Sequence, residues 1–165
     1  MKQSVLFERF APVVPLVRPA PAPPFAAEDR DADAWYELGC RLEAASAVSA
    51  AAAYRRALAL DGAHADALVN FGRLLHLDGD VEAAELHYRR AAAVRPGDAV
   101  AAFNLGVALQ DLGRPRLAIE AYLRALDLDP ATLDAHFNLA GLYLEIGRRA
   151  TAIRHLQRYK SLRAF

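Results

Sequence analysis

Asn70-Phe71-Gly72, Asn104-Leu105-Gly106 and Asn138-Leu139-Ala140 recur every 34 residues, an asparagine followed each time by an apolar residue and then a small one. A fixed period of this size marks a stacked-repeat architecture, in which one supersecondary unit is copied until neighbours bury each other's apolar faces. Carried outward from these triplets, the period divides residues 31–165 into four units, about 32–64, 65–98, 99–132 and 133–165.

Apolar residues within each unit fall at helical spacing, which predicts two helices of roughly 14 residues per unit. Gly79, Gly113 and Gly147 stand where the chain must reverse between them, since a residue without Cβ turns there unhindered. Ser46 and Asp80 suit helix N-caps, Pro115 a first helical turn, and Pro96 and Pro130 the stops after second helices. Gly39, Gly72, Gly106 and Ala140 are expected to face Ala50, Ala84, Ala118 and Ala152 across each helix pair, so that the helices approach closely. Ala57, Ala91 and Ala125 should do the same toward the next unit, and Tyr54, Tyr88 and Tyr122 should fill the remaining core. His136 reads as a packing substitute for an apolar residue.

Trp35-Tyr36-Glu37-Leu38-Gly39-Cys40-Arg41-Leu42 resembles the Trp-x-x-Leu-Gly-x-x-Tyr opening of the tetratricopeptide repeat, with Leu42 in place of tyrosine. Ala50 with Tyr54, Ala84 with Tyr88 and Pro96, and Ala118 with Tyr122 and Pro130 resemble the family's Ala-x-x-x-Phe and proline ending. Unit one is a residue short between its helices, and unit four has Ala140 for glycine and Leu156 for the aromatic, departures expected of terminal repeats. The resemblance implies an all-α, right-handed superhelical stack of eight helices, with the first helix of each unit on an inner, concave face.

Composition narrows the function. Net charge is zero, so no overall field attracts nucleic acid or an anionic membrane. No apolar run approaches the ~20 residues that cross a bilayer, and charges and prolines interrupt the N-terminal apolar patch, so no signal peptide is expected and cytoplasm is the default. Cys40 is the one cysteine, which excludes an intrachain disulfide. His64, His76, His87, His136 and His155 form no metal-ligand pair or nucleophile pairing, and no phosphate-cradling glycine loop is present; neither enzymatic activity nor a cofactor is expected. Residues 1–30 differ in kind, with six of the nine prolines between Pro12 and Pro24. That density excludes helix and predicts an extended or disordered arm, apolar enough to dock on something.

The concave face should form a groove on the order of 30–40 Å long. Tyr36, Asn70, Arg73, His76, Phe103, Asn104, Gln110, Phe137 and Asn138 are expected to line it. A carboxamide offers both donor and acceptor, so asparagines one repeat apart can pair with a peptide backbone of any sequence while Phe103 and Phe137 take side chains. The column is similar to the asparagine ladder of the O-linked N-acetylglucosamine transferase superhelix; the alternative is that these asparagines bond a neighbouring helix. Arg73 and His76 are outnumbered by acids on or near this face, which favours a neutral or basic protein or peptide partner. Residues 1–27 could dock there in cis or in trans, and a homo-oligomer stays open. The last helix collects Arg148, Arg149, Arg154, Arg158, Lys160 and Arg163, read as a solvating cap or a seat for an acidic partner; the nucleic-acid case is weak without interleaved aromatics. Competing classes are the repeat arm of a mercury-resistance-type bacterial transcriptional regulator and the accessory repeat domain of a glycosyltransferase.

Overall fold

The computed structural model describes residues 30–164; nearly all of the proline-rich arm, residues 1–29, and residue 165 lie outside the described residues. Eight helices follow one another: α1 (Ala32–Leu42), α2 (Ala47–Leu60), α3 (Ala65–Leu77), α4 (Val81–Val94), α5 (Ala99–Asp111), α6 (Pro115–Leu128), α7 (Leu133–Glu145) and α8 (Arg149–Arg163). Second helices begin at 47, 81, 115 and 149 and first helices at 65, 99 and 133, so the 34-residue frame is the frame of the fold. Each helix packs on its chain neighbours, and α3 also meets α5, as expected when first helices stack side by side.

Local chemistry sets the boundaries. Ser46 and Asp80 cap α2 and α4 as expected, and Asp31, His64 and Asp98 do the same for α1, α3 and α5, each accepting from a backbone N–H three residues on. Pro115 opens α6. Gly79, Gly113 and Gly147 have φ of 92°, 67° and 76°, the left-handed region. The N–H that follows each glycine bonds a carbonyl five residues back (Asp80 to Leu75, Arg114 to Leu109, Arg148 to Tyr143), which closes the Schellman motif that ends a helix.

The core is built from one contact repeated. Tyr54, Tyr88 and Tyr122 are fully buried, and each ring lies on the glycine of the preceding helix. A Cβ at Gly72 would meet Tyr88 at 2.9 Å, and one at Gly106 would meet Tyr122 at 2.6 Å. The missing Cβ makes room for a tyrosine as well, a contact that was not expected, while Ala50, Ala84, Ala118 and Ala152 are fully buried. Unit four follows the same rule in reverse, where Leu156 replaces the tyrosine and Ala140 the glycine. Between repeats the alanines behave as expected, Ala57 packing with Ala67, and Ala91 with Leu68 and Ala101. Arg90 and Arg124, one period apart, reach back to the carbonyls of Gly62 and Pro96 at 2.7 and 2.9 Å and tie each second helix to the preceding loop.

His136 is 8% exposed at the register of Leu68 and Ala102. Its Nδ1 lies 3.0 Å from Nδ1 of His155, whose ring stacks on Tyr143. One nitrogen must donate and the other accept, so the pair cannot hold both protons at this separation. Burial holds both imidazoles below the ordinary histidine range; the His136 ring and Arg154 add to the effect at His155, while Arg158 lowers and the Pro130 backbone raises His136.

Gly106→Ala should destabilise by about 1–3 kcal/mol through overpacking against Tyr122. Adding Tyr122→Leu should recover part of that loss, a coupling that a double-mutant cycle in urea would measure. Because both histidines have folded pKa values below their unfolded ones, the unfolded chain binds more protons. Their contribution is complete above about pH 6.5 and is lost as pH falls through the folded values. The urea midpoint of His136→Leu should accordingly fall less than that of the wild type between pH 7.5 and pH 5.

Candidate functional site: the inner asparagine column

Three junctions between repeats place the same trio of positions together: an acceptor near the end of a first helix, the core tyrosine, and the asparagine of the next first helix. At the first, the Tyr54 hydroxyl donates to Glu43 Oε1 at 2.6 Å and accepts from Asn70 Nδ2 at 3.3 Å, with Cys40 Sγ 3.4 Å away. At the third, the Tyr122 hydroxyl donates to Gln110 Oε1 and accepts from Asn138 Nδ2, both at 3.0 Å. The second junction is broken. His76, in the acceptor position, turns to Asp111 at 2.8 Å. Neither the Tyr88 hydroxyl nor the Asn104 carboxamide then has a side-chain hydrogen bond among the described residues. Burial is the main cause that raises the tyrosine pKa values, Tyr88 and Tyr122 to about 12 and Tyr54 in the same direction, so all three hydroxyls stay protonated donors.

The remaining predicted residues divide by engagement. Arg73 is held by Glu43 and His76 by Asp111, so neither side chain is left without an internal partner. Tyr36 is half-buried, its ring 4.8 Å from that of His64 and 5.9 Å from that of Tyr54. Phe103 is half-buried over Tyr122, whereas Phe137, beside Tyr159, is 55% exposed. A recess of about 480 Å³ opens beside Asn70, lined by Asp66, Val69, Arg95, Asp98 and Val100. Arg95 grips Asp66 through two bonds of 2.8 and 2.9 Å, and these hydrogen bonds hold the Asp66 carboxyl below its ordinary range.

Glu43 and Asp111 were expected on or near this face only as acids that outnumber its cations, not as partners of Arg73, His76 and Tyr54, and the tyrosine hydroxyls were given no role there. The available signal was tyrosine, in each of three units, at a position where the resembled pattern has phenylalanine: a core position that keeps a hydroxyl has a use for it.

The family model for the tetratricopeptide repeat matches residues 43–99 and 103–165. The chain belongs to the tetratricopeptide repeat family. Members of this family serve as protein-interaction scaffolds. Solved structures of MamA superimpose on this repeat protein: one has a TM-score of 0.78 at 22% identity, covering 84% of this chain and 81% of that one. MamA "41-end" from Desulfovibrio magneticus RS-1 gives 0.74 at 25% identity, over 83% and 78% of the two chains. MamA AMB-1 gives 0.71 at 27%, over 84% and 82%. No curated protein sequence matches. Among the described residues, no helix is long and apolar enough to cross a membrane.

Asn138→Ala should cost about 0.5–1.5 kcal/mol of stability, the value of a lost hydrogen bond, and Asn70→Ala a similar amount. Asn104→Ala should leave the urea midpoint unchanged, an ordering that three denaturation curves would establish.

Proposed function

We propose that this repeat domain is a non-enzymatic interaction module whose concave face holds an extended segment of a partner protein, with Asn104 as its central contact. One observation carries the reading: of three equivalent carboxamides, the middle one has its partner tyrosine withheld. A half-buried amide with free donors and a free acceptor is suited to a visiting peptide unit, with which it exchanges the two hydrogen bonds that one strand offers another. Phe137 supplies an exposed apolar surface one repeat further along.

Charge supports a neutral or basic segment. Arg73 is neutralised by Glu43 and His76 is held by Asp111, while Asp134 and Glu145 on α7 are exposed and in no ion pair among the described residues. Residues 1–27, apolar and carrying Lys2, Arg9 and Arg18, are the competitor that this reading names, from the same chain or a neighbour.

A random 12-residue peptide library selected on the protein should yield sequences rich in apolar residues with lysine or arginine. Affinity for a selected peptide should fall about 2- to 12-fold in Asn104→Ala, the loss of one amide contact. Deletion of residues 1–27 should raise it. Equal affinity of wild type and Asn104→Ala in fluorescence polarisation would remove Asn104 from the site.

A further inference from the structure

A second groove lies on the outer side of the stack, where α6 meets the end of α7. Ile119, Tyr143 and Ile146 form its floor, Arg116 and Arg148 its walls, and its volume is about 460 Å³; Glu120 is the one carboxylate lining it. Ile146 is 43% exposed, an unusual state for isoleucine in a turn. Neither Arg116 nor Arg148 has an ion pair or side-chain hydrogen bond among the described residues. Arg149 and Ile153, the latter 52% exposed, continue the same mixture of cation and isoleucine along α8.

The periodic fold supplies its own control. The groove recurs two repeats earlier, at about 150 Å³, lined among others by Val48, Ala51, Leu75 and Asp78. Residues 48, 51, 75 and 78 precede Arg116, Ile119, Tyr143 and Ile146 by twice the 34-residue period, and Asp80 stands in the same relation to Arg148. The backbone therefore accepts valine and aspartates where this junction has arginines and isoleucine, so packing does not demand them. Helix chemistry opposes one of them outright. Asp80 caps α4 through its side chain, but Arg148 occupies the N-cap position of α8 with no capping bond, as Arg114 does for α6, and places a cation at the positive end of the helix. Arg116 stands where the two earlier repeats have Val48 and Glu82, and with Arg148 it sets two unmatched cations beside an exposed isoleucine, a combination that points to a use outside the chain.

We propose that this outer groove seats an acidic, apolar segment of a partner protein, its carboxylates on Arg116 and Arg148 and its aliphatic or aromatic side chains on Ile146 and Tyr143. Exposed isoleucine between arginines matches such a segment rather than a phosphate backbone, which offers nothing to an apolar floor. The site is independent of the inner asparagine column and lies on a different face of α7, since residues 143 and 146 are turned well away from residue 137 at about 100° per residue.

The test uses a fluorescein-labelled 12-residue peptide of glutamates interspersed with leucine and phenylalanine, compared with an all-glutamate 12-mer and a 12-nucleotide oligothymidylate. Wild type should bind the mixed peptide at least tenfold more tightly than either comparator. Ile146→Asp with Arg148→Asp copies the turn at Asp78 and Asp80. That variant should melt at or above the wild-type temperature, because a carboxylate at the N-cap of α8 would restore the missing capping bond, yet lose at least tenfold in affinity; Asn104→Ala should bind as wild type does. Unchanged binding by the double variant overturns the proposal. So does equal binding of the all-glutamate peptide or the oligonucleotide, which would reveal diffuse charge only. Loss of binding in Asn104→Ala would move the peptide to the inner face and overturn it too. Self-association of wild type that the double variant abolishes would make a second copy the occupant, with the same consequence.

Discussion

A tyrosine ring pressed onto a glycine is the contact on which the rest of this molecule depends. The missing Cβ on the first helix lets the ring lie flat between the two helices, where it is excluded from water and fixes how closely they approach. Fixing the ring also fixes its hydroxyl, which at two junctions lies buried between one first helix and the asparagine of the next. The same side chain thus packs the core with its ring and, at the first and third junctions, receives the asparagine of the following repeat with its hydroxyl. Where the last unit gives up the tyrosine, it gives up the glycine as well.

Against so regular a frame, the departures carry the specific chemistry. His76 stands where Glu43 and Gln110 serve as acceptors, and by turning to Asp111 it leaves Tyr88 and Asn104 without each other. On the outer side, Arg116 stands where the two preceding repeats have Glu82 and Val48, while Ile146 and Arg148 follow Leu112 and Arg114 of the preceding repeat and differ from Asp78 and Asp80 of the one before. In both places the backbone is the same and the side chains differ, so the fold itself does not demand the difference. A repeat protein shows this because each unit tests what the fold itself requires at every position.

The His136–His155 pair shows a departure of another kind. A histidine at an apolar register reads as simple packing, and it does pack, yet its ring nitrogen needs a partner that only α8 supplies. Polar groups brought into a core must find one another, and the last repeat does this for one nitrogen of each ring within its own helix pair.

The sequence by itself determined the period, the number of helices, their turns at Gly79, Gly113 and Gly147, their caps at Ser46 and Asp80, and the burial of the tyrosines. These follow from local rules, helical spacing and backbone conformational preference, which act over a few residues and repeat with the chain. It also pointed to the asparagine column, because the column is periodic. Which asparagine is free, which partners hold Arg73 and His76, and that the glycines make room for tyrosine rings were decided by the tertiary structure alone. Those outcomes rest on contacts between residues 11 to 35 positions apart, Glu43 with Tyr54 and His76 with Asp111 among them. A hydrogen bond is a matter of a few tenths of an ångström and one direction, and the register of a repeat places side chains near one another without choosing which of them will pair.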